Sequence, residues 1–383
     1  MSEHECALKH IASVDFDMHS VMKPELNESI YFQAVYDLII VLSQRGRHAF
    51  VSYYPELVRS AVFDVMDKLD SMDDERLASQ VTHFITVVIN AGFINFTGIL
   101  FKRSKLDFSG TYLKCIDFSC VNLLNAVFDE AIFGCDFSNA NLAGATFKNI
   151  SLTDVKFAGA NLINSSFEGS DLKKITFVNA NLKEANFKNT TLANLDFKHA
   201  SLLNSNFSSS NLKNIGFRKA NLGSTSFEYT DLDNIDFREA HLEKTNFSLA
   251  ELKEVYCLDA WLLDSNFEAA QFYFANFRRA LLNRANFYDT EILERIDFTN
   301  AQLQAANLSG VDLSRLDLAN ADLTDANLTT TQRIELYKQG IVQSPAEIKS
   351  EIELFDSPAN QTIEIADTGY RLGLQNFQHD FSI

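Results

Sequence analysis

The chain has 383 residues, of which 46% are hydrophobic, enough apolar material for a large buried core. Its formal net charge of −18 argues against direct nucleic-acid binding, which needs clustered Lys and Arg, and it disfavours anionic membrane surfaces for the same reason. Thirty-three Phe against one Trp and four Pro indicate that one structural position is filled by Phe repeatedly, so an internal repeat is expected.

The first third of the chain has helical apolar spacing. Residues 1–95 are therefore predicted to form an α-helical N-terminal domain, with helices over residues 27–44, 55–72 and 73–90. One stretch, residues 77–101, lacks Asp, Glu, Lys and Arg and approaches the length that spans a bilayer. Because Asn90-Ala91-Gly92 resembles a helix stop and Asn95-Phe96 begins a repeat-like pattern, we predict a helix running into the next domain, without membrane insertion.

Location is predicted from the N-terminus and the cysteines. The start, Met1-Ser-Glu-His-Glu, lacks the basic residues and apolar run of a secretory signal. The five cysteines show neither CxxC spacing nor a disulfide framework, which is typical of free thiols in a reducing compartment. We predict a cytoplasmic protein, with export into a host cell without a classical signal peptide as the alternative.

The middle of the chain repeats every five residues. Phe and Leu alternate at the central position without exception from Phe137 to Leu252, a small residue stands two places earlier, and Asn or Asp often stands one place earlier. Neither a helix, with period 3.6, nor a strand, with period 2, gives this spacing. The chain must turn a corner once per five residues, so four corners close a coil of twenty. The central and small residues then face inward, and Phe and Leu stack in separate columns.

These tandem A(N/D)LXX units resemble the pentapeptide-repeat family, whose members form a right-handed quadrilateral β-helix. The resemblance covers residues 96–328 and implies an all-β solenoid core. It does not imply a function, because the family is functionally mixed. Spacing departs from five residues between Phe133 and Phe137, between Phe287 and Phe298 and near Phe101, where bulges or short loops are expected.

The C-terminal segment is expected to cap the solenoid, since an open apolar end would aggregate. A helix is predicted over residues 330–339, ending at Gly340. A capping box from Ser344 to Glu347 predicts a second helix to about residue 355, which gives C-terminal capping helices over 329–355. Residues 356–383 are polar and aperiodic, and we predict a flexible tail.

No motif in the sequence supplies catalytic chemistry. Phosphate loops, nucleophile elbows and HExxH are absent, and the eight His are scattered. Acidic residues before the central position recur with period five, as solvated corner residues do. We therefore predict no enzyme activity, no cofactor and no metal.

Outward aromatic and Arg residues instead indicate a protein-interaction scaffold that presents a rigid surface to an unknown protein partner. In a twenty-residue coil one column contains His241, Trp261 and Leu281, and another, on the opposite face, contains Lys253, Tyr273 and Leu293. The predicted partner-binding residues are Trp261, Tyr273, Phe274, Arg278, Arg279, Leu281 and Tyr288. Homodimer formation is left open. Helices followed by repeats and a polar tail also resemble some bacterial effectors delivered into host cells.

A DNA mimic that binds DNA gyrase or topoisomerase IV is the alternative, because one group within the family is known for that role. Residues 96–328 contain 29 acidic and 22 basic residues, a net charge of −7. A solenoid of about 55 Å would replace a duplex segment that carries on the order of 30 negative charges. This shortfall favours the scaffold.

Overall fold

The computed structural model describes residues 106–341 of the chain. The predicted N-terminal helices, the uncharged stretch before residue 101, the helix after Ser344 and the polar tail lie outside the described residues. Within residues 106–341, no helix is long and apolar enough to cross a membrane.

The described residues form a parallel β-solenoid. Its strands are β1 (Tyr112–Asp117), β2 (Ile132–Asp136), β3 (Ser151–Thr153), β4 (Asp171–Lys173), β5 (Thr191–Ala193), β6 (Asn211–Gly216), β7 (Asp231–Asp236), β8 (Glu251–Tyr256), β9 (Gln271–Asn276), β10 (Glu291–Asp297) and β11 (Leu316–Asp317). Strands β1 and β2 pair, and β3 to β11 form one sheet in chain order. Leu152 pairs with Leu172, and Leu172 with Leu192, so each coil is twenty residues long, as predicted.

Each coil has four sides, named here from one coil as side A (160–164), side B (165–169), side C (170–174) and side D (175–179). In this coil a residue with positive φ stands at the end of each side, for example Asn164 and Asn179, where the chain turns its corner. Backbone groups bond to the neighbouring coils: the N–H of Phe157 donates to the carbonyl of Thr176 (2.9 Å), and that of Asn161 to Ala140 (2.9 Å). The long strands lie on side C, and β6 to β9 continue around its corner into side D.

The core consists of stacked identical residues. Phe167 and Phe187 stack with ring centroids 4.9 Å apart in the side B column, while Phe167 meets Phe177 of the side D column edge-on at 5.8 Å. The prediction of separate Phe and Leu columns is therefore confirmed. Small buried residues such as Ala160 fill the space beside the large ones. Side D differs from the prediction, because Ile175 and Ile215 occupy its small-residue position and remain buried.

Two of the predicted irregularities are β-bulges. Between β1 and β2 the register advances by three residues, from Lys114 to Asp117, against two in the partner strand. Between β9 and β10 the extra residue lies after Ile292, on β10. The third predicted site, near Phe101, lies outside the described residues.

A helix covers the C-terminal end of the solenoid. Helix α1 (Thr330–Lys338) begins with a capping box in which Thr329 and Gln332 bond to each other's backbone. Leu336 is fully buried, and Gly340 follows with φ of 70°, as the sequence predicts for the stop. The Gln332 amide donates to the carbonyls of Leu308 (2.9 Å) and Val311 (2.8 Å) in the last coils.

Candidate protein-interaction surface

The outward column of side A changes character along the solenoid. In the early coils it is a ladder of amides, in which Asn141 donates to Asn122 (2.7 Å) and Asn161 donates to Asn141 (2.9 Å). Side-chain amides that bond to one another form a polar surface with few free hydrogen-bonding groups for a protein partner. In the later coils the same column contains His241, Trp261 and Leu281, aligned by parallel bridges as the sequence predicts.

Trp261 lies at the centre of this apolar section. Its side chain is 46% exposed, although His241 covers one part of it with ring centroids 4.4 Å apart and planes tilted by 53°. An open groove of about 500 Å³ surrounds the indole, and we call it the Trp261 groove. It is lined by Lys219, Glu239, His241, Asp259 and Trp261.

The acidic residues of the groove already have basic partners. Arg218 (2.5 Å) and Lys219 (3.1 Å) both reach Glu239, and their side-chain hydrogen bonds hold the pKa of that carboxyl below its ordinary value. Arg279 donates from Nε (2.7 Å) and Nη2 (2.6 Å) to Asp259 and lowers its pKa in the same way. The groove is therefore an exposed aromatic site framed by ion pairs rather than a strongly charged one.

The structure brings three of the predicted site residues together. Trp261 and Leu281 share the side A column, and Arg279 stands at the corner just before it. Arg278, one position earlier on side D, is exposed and lies 3.8 Å from Asp297.

The other predicted residues lie elsewhere. Tyr273 and Phe274 are half-buried on β9, on the opposite side C. Tyr288 is exposed on side B. The predicted set is therefore distributed over several sides, and Trp261 is the member of it that lines the groove.

Comparison with known proteins supports the repeat. The pentapeptide repeat region family matches residues 150–227 and 190–267, and pentapeptide repeats (8 copies) match residues 296–331. The repeat region belongs to the pentapeptide-repeat family. No curated protein matches the chain.

Solved pentapeptide-repeat structures are similar in fold alone. HetL, a pentapeptide repeat protein involved in heterocyst differentiation regulation from the cyanobacterium Nostoc sp. strain PCC 7120, is 22% identical over 58% of this chain and 88% of its own, with a TM-score of 0.26. Rfr23 from the cyanobacterium Cyanothece 51142 is 26% identical over 27% of this chain and 89% of its own (TM-score 0.19). Full-length QnrB1, a plasmid-mediated fluoroquinolone resistance protein, is 21% identical over 63% of this chain and 99% of its own (TM-score 0.19).

The pentapeptide-repeat solenoid also exposes apolar residues that the sequence analysis missed. Tyr229 is 60% exposed and Leu249 is 43% exposed, one coil apart at the corner between sides B and C. Tyr256 lies near Phe274, with ring centroids 6.0 Å apart. The twenty-residue spacing of Tyr229 and Leu249 would have identified them, since it places both in one outward column.

The titratable groups of the described solenoid do not assemble into a metal site. No group of three or more His, Cys, Asp or Glu between residues 106 and 341 could hold a metal ion. Cys257 is buried in the side D column, where desolvation, reinforced by the nearby Asp236 charge, raises the pKa of its thiol. Its thiol is therefore a packing group rather than a nucleophile.

Proposed function

We propose that the protein is a non-enzymatic scaffold that binds a protein partner through the Trp261 groove. The observation that carries this proposal is the exposed indole of Trp261 beside His241, in a column whose early coils contain Asn side chains bonded to one another. Trp is the residue most enriched at the energetic centres of protein interfaces. The exposed side chain of Trp261 contributes little to the stability of the fold, because it points outward and is not part of the core.

The solenoid suits this role because its surface is rigid before binding. Each coil is hydrogen-bonded to the coils on both sides, and the Arg279–Asp259 pair fixes the rim of the groove. A preorganised surface loses little conformational entropy when a partner docks. The same scaffold would serve in the cytoplasm or as an effector exported into a host cell.

Mimicry of DNA toward gyrase is less well supported. A duplex presents unpaired negative charge along its whole length. Here acidic residues of the described solenoid bond to basic residues one coil away, as Asp233 does with Lys213 and Asp264 with Arg284. Supercoiling by gyrase and decatenation by topoisomerase IV are expected to be unaffected by excess full-length protein, and inhibition would favour the mimic.

Site-specific photo-crosslinking tests the groove directly. A benzophenone amino acid at Leu281 is next to Trp261 in the side A column, and the same group at Asn181 gives a matched control at the equivalent outward position of an earlier coil. We expect a partner that is captured from position 281 but not 181, and whose purified form binds Trp261→Ala about 30-fold more weakly. Equal capture from both positions, or unchanged affinity of Trp261→Ala, would contradict the proposal.

A further inference from the structure

A second surface lies along the corner between sides B and C. We call this surface the B–C ridge. It extends over four successive coils, and each coil contributes three positions: the last two residues of side B and the first outward residue of side C. Its twelve positions are Glu228, Tyr229, Asp231, Ser248, Leu249, Glu251, Glu268, Ala269, Gln271, Tyr288, Asp289 and Glu291. Three are large and apolar, six are acidic, and none is basic. No residue of the Trp261 groove belongs to the ridge.

The apolar residues of the ridge are costly for the fold. Tyr229 and Leu249 have φ of 56° and 58°, a left-handed conformation that costs an ordinary residue about 1–2 kcal/mol. Asn, Asp and Gly, which tolerate this conformation, occupy many equivalent corners, including Asn189 and Gly169. Neither side chain is compensated by burial, because both are exposed. The fold alone therefore does not account for a Tyr and a Leu at these two positions.

The charge of the ridge is only partly neutralised. Lys253 reaches Asp231 (2.8 Å) and Glu251 (3.4 Å) from the neighbouring column on side C. Among the described residues, Glu228 and Glu268 form no ion pair, although Glu268 accepts a hydrogen bond from Asn286 at 3.4 Å. Asp289 likewise has no ion pair within residues 106–341, and Glu291 accepts from the Gln271 amide (3.0 Å). An apolar strip thus runs beside four carboxylates, those of Glu228, Glu268, Asp289 and Glu291, that form no ion pair among the described residues.

We propose that the B–C ridge docks a short basic, amphipathic segment of another protein. Apolar side chains of that segment would cover Tyr229, Leu249 and Tyr288, while its Lys and Arg side chains would pair with the flanking carboxylates. Charge complementarity excludes a nucleic acid, and it disfavours a second copy of the same ridge. The three coil steps from Tyr229 to Tyr288 span about 14 Å, which matches roughly nine residues of helix. This surface is independent of the Trp261 groove on side A.

Fluorescence anisotropy of full-length protein with a labelled model peptide tests the proposal. The probe is LKKLLKLLKKLLKL, and its acidic counterpart LEELLELLEELLEL is the peptide control. The double variant Tyr229→Asn, Leu249→Asn keeps the protein charge and places Asn in left-handed positions that suit it, so folding is retained. We expect its affinity for the basic peptide to fall about tenfold or more. The matched variant Ser224→Asn, at another left-handed corner of the same coil, should bind like the unaltered protein.

A second pair of substitutions tests the charges. Glu228→Gln with Asp289→Asn should lower affinity several-fold and flatten its dependence on salt, because fewer charge pairs form. Three results would overturn the proposal: no saturable binding of the basic peptide, equal binding of the acidic peptide, or affinity unchanged in the Tyr229→Asn, Leu249→Asn variant. The last result would mean that the peptide responds only to the overall negative charge of the chain. The peptide experiment does not depend on the Trp261 groove. If no partner bound at Trp261, the result expected for the B–C ridge would be unchanged.

Discussion

At the scale of single residues, the corners of the coil determine much of the surface. Asn and Asp occupy 17 of the 33 non-glycine positions with positive φ among the described residues, in keeping with their tolerance of this conformation. The remaining corners hold residues that the conformation disfavours, and each should be open to stabilisation by Asn.

The corner at Leu249 allows this to be measured. Leu249→Asn should raise the free energy of unfolding by about 1 kcal/mol, because Asn adopts the left-handed conformation more readily and the exposed leucine loses little packing. Denaturant titration followed by circular dichroism gives the change, with Ser224→Asn as a reference. A lower midpoint for Leu249→Asn would show that its side chain packs on the folded surface. Higher stability together with weaker peptide binding would indicate that this residue serves binding at the expense of the fold.

A second residue-scale feature is a compensating pair in the core. Cys257 occupies a Phe position of the side D column, between Phe237 and Phe277, and Phe272 occupies a Leu position of the following coil. The extra ring packs against Phe267 (5.6 Å) and Phe277 (5.9 Å) between centroids. The smaller residue and the larger one lie in adjacent coils, so we expect the larger ring to compensate for the volume lost at Cys257.

This pairing predicts a strong coupling between the two positions. Cys257→Phe alone should destabilise the solenoid by about 1–3 kcal/mol through overpacking, and Phe272→Leu alone should do so by opening a cavity. The double variant restores the Leu and Phe alternation and should recover most of the loss. A double-mutant cycle on unfolding free energies measures the coupling. Additive losses would show that the two positions pack independently.

At the scale of elements, helix α1 closes the C-terminal end through Gln332. Gln332→Ala removes the side-chain donor that residues 106–341 provide to the Val311 carbonyl, and an unsatisfied buried carbonyl costs about 1–3 kcal/mol. Since coils of a solenoid interact mainly with their neighbours, the loss should be local. Hydrogen exchange should become about tenfold faster or more in residues 303–327 and stay unchanged in residues 180–220. Gln339→Ala, which removes an exposed amide that bonds to Glu335, is the control, and uniform acceleration along the chain would contradict local capping.

The sequence predicts the elements well where a single residue pattern determines both the path of the chain and which side chains point inward. Period five and the alternation up to Leu252 predict the parallel coils and the Phe columns, and the irregular spacing after Phe287 predicts the bulge on β10. Ile175 and Ile215, at the first position of side D, depart from the small-residue pattern and are nevertheless buried. Corner conformations such as the positive φ of Tyr229 require the coordinates, since the pattern does not state which corners are left-handed.

The candidate site was predicted less completely for a physical reason. Outward residues are free of packing constraints, so their sequence pattern indicates a column but not which neighbours form a groove. Trp261 and Leu281 were placed correctly in one column, whereas the contribution of Lys219 and Glu239 depends on the turn from side D to side A.

At the scale of the whole molecule, ion pairs link successive coils along the solenoid axis. Asp259 pairs with Arg279 (2.6 Å) and Asp264 with Arg284 (2.6 Å), in each case across one coil. The side-chain hydrogen bonds from these guanidinium groups lower the pKa of both carboxyls. These pairs oppose the self-repulsion expected of a chain with net charge −18.

The lowered pKa values of Asp259 and Asp264 determine how the stability of the solenoid should change with pH. A carboxyl whose pKa is lower in the folded state stabilises the fold above its unfolded value, about 3.9 for Asp, and loses that contribution as the pH falls through the folded value. The double variant Arg279→Gln, Arg284→Gln should therefore be less stable than the unaltered protein at pH 7, by a small amount because these groups are exposed. The difference should narrow below about pH 4 and shrink in high salt.

Thermal melting of both proteins from pH 7 to pH 2 checks this expectation, and the comparison cancels charge effects common to the two. The double variant Lys174→Gln, Lys188→Gln, which removes two exposed cations that have no ion pair within residues 106–341, controls for the change of two units in net charge. If the gap between the double variant and the unaltered protein persisted at pH 2, the arginines would act through the packing of their apolar stems rather than through the carboxylates. The coil-to-coil pairs would then orient surface side chains without adding to the stability of the stack.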